Sequence, residues 1–281
     1  MSSTHAEEME QGKRFAFGAN WASFLERLDE ARVEVARESL ARMLGVKSLE
    51  GLRFLDAGSG SGLSSLAARR LGAKVHSFDF DPRSVACTRE IRRRYCGDDP
   101  LWVVEEGSVL DESYLSSLGE FDIVYSWGVL HHTGAMWRAI DNVSGLTKSG
   151  GVLFIAIYNN MGGKSRAWKV IKRIYCGLPS FLRIPFALLV TAPIQIFSLL
   201  VHAVQGKAMK YFEDIAQYRK RRGMSWWHDQ LDWIGGYPYE DAKPEEIFER
   251  LHSRGFSLTK LRTFGGGVGC NEFVFRRVRD A

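Results

Sequence analysis

The chain has 281 residues, 45% of them hydrophobic, and a net charge of +5, enough to bury a full core as one large domain or as a domain carrying an insertion. Its four cysteines, Cys87, Cys96, Cys176 and Cys270, have neither CxxC nor zinc-finger spacing, which excludes a disulfide scaffold and a zinc ribbon and points to a reduced, cytoplasmic setting. The opening residues, Met1 to Glu10, are polar and acidic and do not form a secretory signal.

Residues 1–50 are expected to be an N-terminal helical extension. Phe15, Phe17 and Trp21 form an aromatic cluster, and Phe24, Leu25, Leu28, Val35, Leu40, Met43 and Leu44 fit a helix from Ser23 to about Leu44 with one buried face. Residues 53–62 then read Arg-Phe-Leu-Asp-Ala-Gly-Ser-Gly-Ser-Gly, and Leu63 to Leu71 has helical spacing. A strand, a glycine turn and a helix N-terminus in that order form a nucleotide-binding corner, because glycine tolerates positive φ and leaves no Cβ where backbone meets a ligand. No Gly-Lys-Ser/Thr follows, so the turn is not a phosphate loop. Leu63 stands where a dinucleotide fingerprint needs glycine.

Further along, Lys74 to Asp79 reads as a second strand ending in an acid, and Asp81-Pro82 as the cap and first residue of a helix from Arg83 to about Tyr95. Trp102 to Asp111 reads as a third strand and loop, and Phe121 to Ser126 as a fourth strand, followed by Gly128-Val129-Leu130-His131-His132. Gly150 to Tyr158 reads as a turn and fifth strand. Phe256 to Leu261 and Asn271 to Phe275, joined by a glycine-rich loop, read as a closing pair, with a helix from Pro244 before them.

The D-x-G-x-G-x-G run from Asp56 to Gly62, with these ordered strands behind it, resembles motif I of the class I S-adenosylmethionine-dependent methyltransferases. The resemblance covers about residues 51–160 and 245–278, and looks most like the group containing the ubiquinone and menaquinone biosynthesis methyltransferases. It implies an α/β, Rossmann-like fold with a mostly parallel seven-stranded sheet of order 3-2-1-4-5-7-6. The N-terminal extension would precede a cofactor-binding core at 51–160 and 241–281, and a helical insertion at 161–240 would lie between strands five and six. It further implies S-adenosylmethionine as cofactor and S-adenosylhomocysteine as product. Asp56 would help hold the methionine end, with Gly58, Ser59, Gly60 and Gly62 as the turn. Asp79 would accept hydrogen bonds from the ribose hydroxyls, and Ser108 and Val109 would contact the adenine. Phe80 and Trp127 would border the same ligand, and Phe17 and Trp21 would either pack the extension onto the core or fold over that ligand.

Methyl transfer from a sulfonium requires the acceptor to be positioned, water excluded and, for a hydroxyl acceptor, a proton removed. His131 and His132 stand where this fold borders the methyl group, and a neutral imidazole can take that proton near pH 7. At least one is expected to be a base or a positioning group, with His131 first, although backbone bonding and core packing would account for them too. Some quinone-precursor O-methyltransferases have a Glu-His pair and a further Glu here for a metal. This chain has His131, His132 and Gly128, so no metal is expected. Tyr158, Asn159, Asp232, Tyr237 and Glu240 are the candidate acceptor residues, Asp232 or Glu240 serving alternatively as an anchor for the basic run. The Asp/Asn-Pro-Pro-Tyr/Phe signature of amine methylation is absent, which disfavours a nucleobase acceptor.

The insertion carries the charge asymmetry of the chain. Between 161 and 223 there are twelve Lys/Arg and two acids, Glu213 and Asp214, a local balance of +10 that leaves the rest at −5. Lys164 to Tyr175 reads as a basic amphipathic helix with Trp168, Ile171, Ile174 and Tyr175 on its apolar stripe and Lys169, Lys172 and Arg173 off it. Ile184 to Gly206 is a 23-residue run without an Asp, Glu, Lys or Arg, and Arg219 to Arg222 is a tetrad of cations. The run is long enough to span a bilayer. A single crossing would put strand five and strands six and seven on opposite sides, and Pro185 and Pro193 argue for two short helices instead.

The expected activity is O-methylation of a small or lipid-like acceptor by a cytoplasmic enzyme, with the insertion serving as a hydrophobic lid, an oligomer contact, or a peripheral contact to the inner face of a membrane through 161–223. An RNA or tRNA methyltransferase using the basic segment is the competing enzyme reading, disfavoured by the uncharged run. A catalytically inactive, cofactor-binding interaction module is the non-enzymatic one.

Overall fold

Short runs of buried, branched and aromatic residues supply the strands. A computed structural model describes residues 5–10, 14–15, 25, 28–97, 99–222, 226–265 and 269–278. In it β1 (Arg53–Ala57), β2 (Lys74–Asp79), β3 (Trp102–Glu106), β4 (Phe121–Trp127), β5 (Thr147–Tyr158), β6 (Phe256–Arg262) and β7 (Cys270–Arg277) form one seven-stranded sheet of order β3-β2-β1-β4-β5-β7-β6. The first five strands run parallel, and β7 pairs antiparallel with both β5 and β6. This is the sheet that the family resemblance implied.

The helices are α1 (His5–Glu10), α2 (Glu30–Leu44), α3 (Leu63–Arg70), α4 (Pro82–Cys96), α5 (Glu112–Leu118), α6 (Met136–Gly145), α7 (Gly163–Gly177), α8 (Ser180–Val204), α9 (Ala208–Arg222), α10 (Trp226–Gly235) and α11 (Pro244–His252). Alternating side chains send the two faces of the sheet into separate apolar layers. Leu55, Val124, Leu153 and Phe275 pack with Ile140 and Val143 of α6 and Leu251 of α11. Phe54, Ile123 and Phe154 pack with Leu66 of α3, Ile91 of α4, and Val33 and Leu40 of α2. Aspartates start several helices: the carboxylates of Asp29, Asp81 and Asp111 accept from Arg32 N–H, Arg83 N–H and Ser113 N–H.

The chain divides into two compact units. One holds the sheet and the described residues between 17 and 166 and between 238 and 278; the other holds those between 3 and 16 and between 167 and 237. The second unit has its own small core, in which Trp168, Ile171 and Tyr175 of α7, Ala187 of α8 and Ile234 of α10 meet.

Four expectations about elements need correction. Helix α2 starts at Glu30, not Ser23, because Asp29 is extended and caps it, and Leu28 precedes it outside any helix. Gly150 and Gly151 lie within β5, where the ladder to β4 shifts register between Phe121 and Ile123. A Cβ on Gly151 would approach Lys148 O to 2.8 Å, so the irregularity needs glycine there. On α7, Ile174 is exposed and Lys172 is buried, since the packed stripe runs Trp168, Ile171, Lys172, Tyr175 at helical spacing. The Lys172 ammonium donates to the Trp233 carbonyl oxygen and lies 5.0 Å from the centre of the Trp233 ring. Finally, Ser180–Val204 is one continuous helix of 25 residues with Pro185 and Pro193 inside it, not two. Each proline removes one helical N–H donor, and the intervening Leu, Ile, Val and Phe residues carry the helix through.

Candidate cofactor pocket and active site

The corner between β1 and α3 is built by glycines under constraint. Gly58, Gly60 and Gly62 have φ of 91°, 54° and 84°, a region L-residues avoid. A Cβ on Gly58 would meet the Val129 side chain at 2.4 Å, and one on Gly62 would meet the Thr88 backbone at 2.9 Å. The turn is fixed from two sides. Gly58 N–H and Ser59 N–H donate to Phe78 O at the end of β2. From α4, the Thr88 hydroxyl donates to Gly60 O (3.3 Å) and lies 3.0 Å from Ser59 Oγ.

Asp79, at the end of β2, sits directly against this turn. One carboxylate oxygen accepts from Gly60 N–H (2.9 Å) and the other from Asp81 N–H (2.9 Å). Phe80 follows it, half-buried. In the loop after β3, the Ser108 hydroxyl accepts from Leu110 N–H (3.1 Å) and Val109 is buried in the core. Gly107 N–H donates to Asp79 O, which ties this loop to the end of β2.

Asp56 lies beneath the turn, 1% exposed. Trp102 Nε1–H, a donor only, bonds Ser77 Oγ (2.8 Å); Ser77 and Ser65 hydroxyls are 2.7 Å apart; Ser65 Oγ–H donates to Asp56. With Ser65 committed to Asp56, Ser77 must donate to Ser65, so the buried chain runs one way and ends on the carboxylate. Burial pushes the Asp56 carboxyl up to about 7, opposed by the Ser65 bond and aided by the charge of Asp79. Ser65, Ser77 and Thr88 were not singled out from the sequence. A serine within the apolar alternation of β2 was the available signal for this internal chain.

His131 and His132 lie in a 3₁₀ turn, Leu130–His132, that follows β4. His131 is fully buried, its ring 4.0 Å from that of Tyr158 and 4.5 Å from that of His132. Tyr158 in turn lies 5.3 Å from Tyr239, whose hydroxyl burial pushes up to about 12. His132 Nδ1 is 2.6 Å from Pro238 O. A carbonyl only accepts, so Nδ1 carries the proton and Nε2 the lone pair. Gly128, with φ of 75°, has open space where a Cβ would project.

The remaining candidates fall in different surroundings. Asn159 ties down the β6–β7 loop: its side chain donates to Gly265 O and accepts from Asn271 Nδ2. Glu240 N–H donates to His131 O, and its carboxylate accepts from Met136 N–H at the start of α6, where negative charge is favourable. Trp127, half exposed at the end of β4, donates through Nε1 to Glu272 on β7 (3.0 Å). Tyr237 belongs to the second unit, its N–H close to Gly235 O. Phe17, Trp21 and the Asp232 side chain lie outside the described residues.

Residues 55–153 match the family model described as a methyltransferase domain. The chain is 30% identical over 145 residues to a ubiquinone biosynthesis O-methyltransferase of Methylocella silvestris, covering 48% of this chain and 55% of that protein. It is 29% identical over 146 residues to the protein of the same description from Chelativorans sp., covering 48% and 53%. It therefore spans about half the length of the curated relatives it matches. Among solved structures, an O-methyltransferase family protein from Burkholderia thailandensis matches with a TM-score of 0.56 at 15% identity, over 99% of this chain and 68% of that one. A magnesium protoporphyrin IX methyltransferase from Synechocystis, solved with bound SAH, gives a TM-score of 0.52 at 15% identity, over 87% and 83%. These structural likenesses bear on fold. Residues 55–153 thus match a methyltransferase domain, on a sheet with the strand order that the resemblance to the class I S-adenosylmethionine-dependent methyltransferases implied.

Proposed function

We propose that the protein transfers a methyl group from S-adenosylmethionine to a hydroxyl of a small or lipid-like acceptor, in the manner its ubiquinone-biosynthesis relatives are named for. The observation that carries the reading is the Gly58–Gly62 turn held against the Asp79 carboxylate at the end of β2. The cofactor fits these residues: the turn needs glycine at 58 and 62, and Asp79 already accepts two N–H donors, which shows a carboxylate oriented for hydrogen-bonding partners. The Gly58–Gly60 backbone, Asp79 and the 107–109 loop would hold it, and when bound it supplies an electrophilic methyl group.

The contribution of the chain itself is to orient the acceptor and accept its proton. His132 suits the second task better than His131, reversing the order expected from the sequence. Its tautomer is set by Pro238 O, which leaves Nε2 basic, whereas His131 is enclosed by Tyr158 and His132. Taking the hydroxyl proton onto Nε2 raises the nucleophilicity of the oxygen while Nδ1–H stays bonded and stabilises the imidazolium. Tyr158, with its ring against both histidines, forms an aromatic wall beside them. The four free thiols suit a reducing, cytoplasmic place of action.

The test is calorimetry with S-adenosylhomocysteine, followed by transfer of labelled methyl from S-adenosylmethionine to a hydroxylated ubiquinone precursor. Binding with transfer is expected. Binding without transfer to any hydroxyl acceptor in a bacterial lipid extract would favour the inactive module, and absence of binding would remove the reading altogether.

A further inference from the structure

Helix α8 presents an apolar surface that is largely exposed among the described residues. It is long and apolar enough to cross a membrane, with a mean hydropathy of 2.1, yet only 11% of that stretch is buried. Its packed stripe includes Ala187 and Thr191, both buried; on the rest of its circumference Phe181, Leu189, Ile196, Phe197 and Val204 are between 58% and 89% exposed. The surface continues into α9, where Met209 and Phe212 are exposed, while Tyr211 faces back and donates to Gln195 of α8 (3.0 Å). Soluble monomers seldom leave a continuous apolar patch of this kind in water.

The charge around it selects the occupant. Residues 161–223 carry a balance of +10, and Lys164, Arg166, Lys169, Arg173, Lys207 and Lys210 are exposed. A second copy would bring the same cationic surface into contact with itself, which opposes association. A nucleic acid would meet a 23-residue run with no cation in it. An anionic bilayer satisfies both halves, since headgroups take the cations and the acyl boundary takes the aliphatic face.

Topology fixes how the helix lies. β5, before the insertion, is paired residue for residue with β7, after it, from Val152↔Arg276 to Tyr158↔Cys270. A crossing by α8 would need a return crossing, and α9, the next helix, has 15 residues including Lys210, Glu213, Asp214 and the cations at its end. We infer that α8 and the start of α9 dock in the plane of an anionic membrane surface, as a monotopic anchor. The inference is independent of the methyl-transfer reading, because it uses no residue of the cofactor pocket or the histidine pair.

Flotation of the full chain with vesicles of phosphatidylglycerol and phosphatidylcholine, against phosphatidylcholine alone, tests it. Flotation on the anionic vesicles is expected, reduced at least tenfold by high salt and at least tenfold by Leu189→Glu with Phe197→Glu. Both side chains are exposed, so fold should be retained, as circular dichroism and S-adenosylhomocysteine binding check separately. Leu261→Glu, an exposed position on β6, should float like wild type. Alkaline carbonate should extract the bound protein. Failure to float on either vesicle, unchanged flotation of the Glu pair, resistance to carbonate, or a stable dimer that the Glu pair dissolves would each overturn the inference.

Discussion

Asp79 illustrates how much one residue can hold: its carboxylate accepts from Gly60 N–H and Asp81 N–H, and its backbone carbonyl from Gly107 N–H. Charge-assisted hydrogen bonds are worth about 1.5–3 kcal/mol each, so Asp79→Ala should weaken S-adenosylhomocysteine binding roughly 10- to 100-fold. Calorimetry of variant against wild type reads this directly, and equal affinities would detach Asp79 from the cofactor. His132→Ala should leave that affinity within a few-fold while lowering turnover by about 10²–10⁴-fold. His131→Ala should act mainly on stability, by about 2–3 kcal/mol, because it empties a fully buried site. Denaturation midpoints and rates on one acceptor separate the two histidines. If His131→Ala alone abolishes turnover at unchanged stability, the roles are reversed.

Asp56 makes a pH-dependent statement. Its carboxyl is held near 7 in the folded protein against 3.8 as reference, chiefly by burial. Between those values the unfolded chain has released a proton that the folded one keeps. The stability associated with the neutral acid is therefore complete at acid pH, falls as pH rises through this window, and is level above it. Asp56→Asn removes the dependence, so wild-type stability relative to the variant should decline from about pH 4 to 7, by no more than ~1.4 kcal/mol per pH unit. A difference that does not vary with pH would mean that Asp56 is ionised throughout.

At the scale of elements, some features could be read from the sequence and others could not, for identifiable reasons. The Asp56–Gly62 turn was legible because its glycines are demanded by backbone geometry and close neighbours, both of which are local. Gly62→Ala should accordingly cost about 1–3 kcal/mol through positive φ and the Thr88 contact, seen in urea denaturation. The start of α2 was misjudged because apolar spacing continues across Leu25 and Leu28, whereas the helix is set by the Asp29 cap. The uninterrupted α8 was missed because proline propensity is a local penalty, outweighed in a 25-residue helix that includes five leucines and three alanines. The proposed ranking of the histidines rests on Pro238, over a hundred residues away, a contact that no local pattern announces.

For the whole molecule, the sheet unit contains both stretches that the resemblance covered, and the net charge of +5 conceals its partition into a cationic insertion and an acidic remainder. A ligand that binds only the folded protein stabilises it by about 2.7 kcal/mol at a hundred times its dissociation constant. S-adenosylhomocysteine should therefore raise the unfolding temperature by several degrees in a calorimetric scan, and the rise should be lost in Asp79→Ala. An identical shift in that variant would place the ligand elsewhere.

The position of β7 between β5 and β6 has a consequence for biosynthesis. The gap beside β5 stays open until Arg277 has left the ribosome, and Val204, the last residue of α8, leaves it 73 residues earlier. At ordinary translation rates that interval is about 4–15 s. Throughout it, the most apolar of the described helices is already made while the strand that completes the sheet does not yet exist. A nascent chain in that state needs something to shield the helix, and a nearby bilayer or a holdase chaperone would serve before any enzymatic role begins.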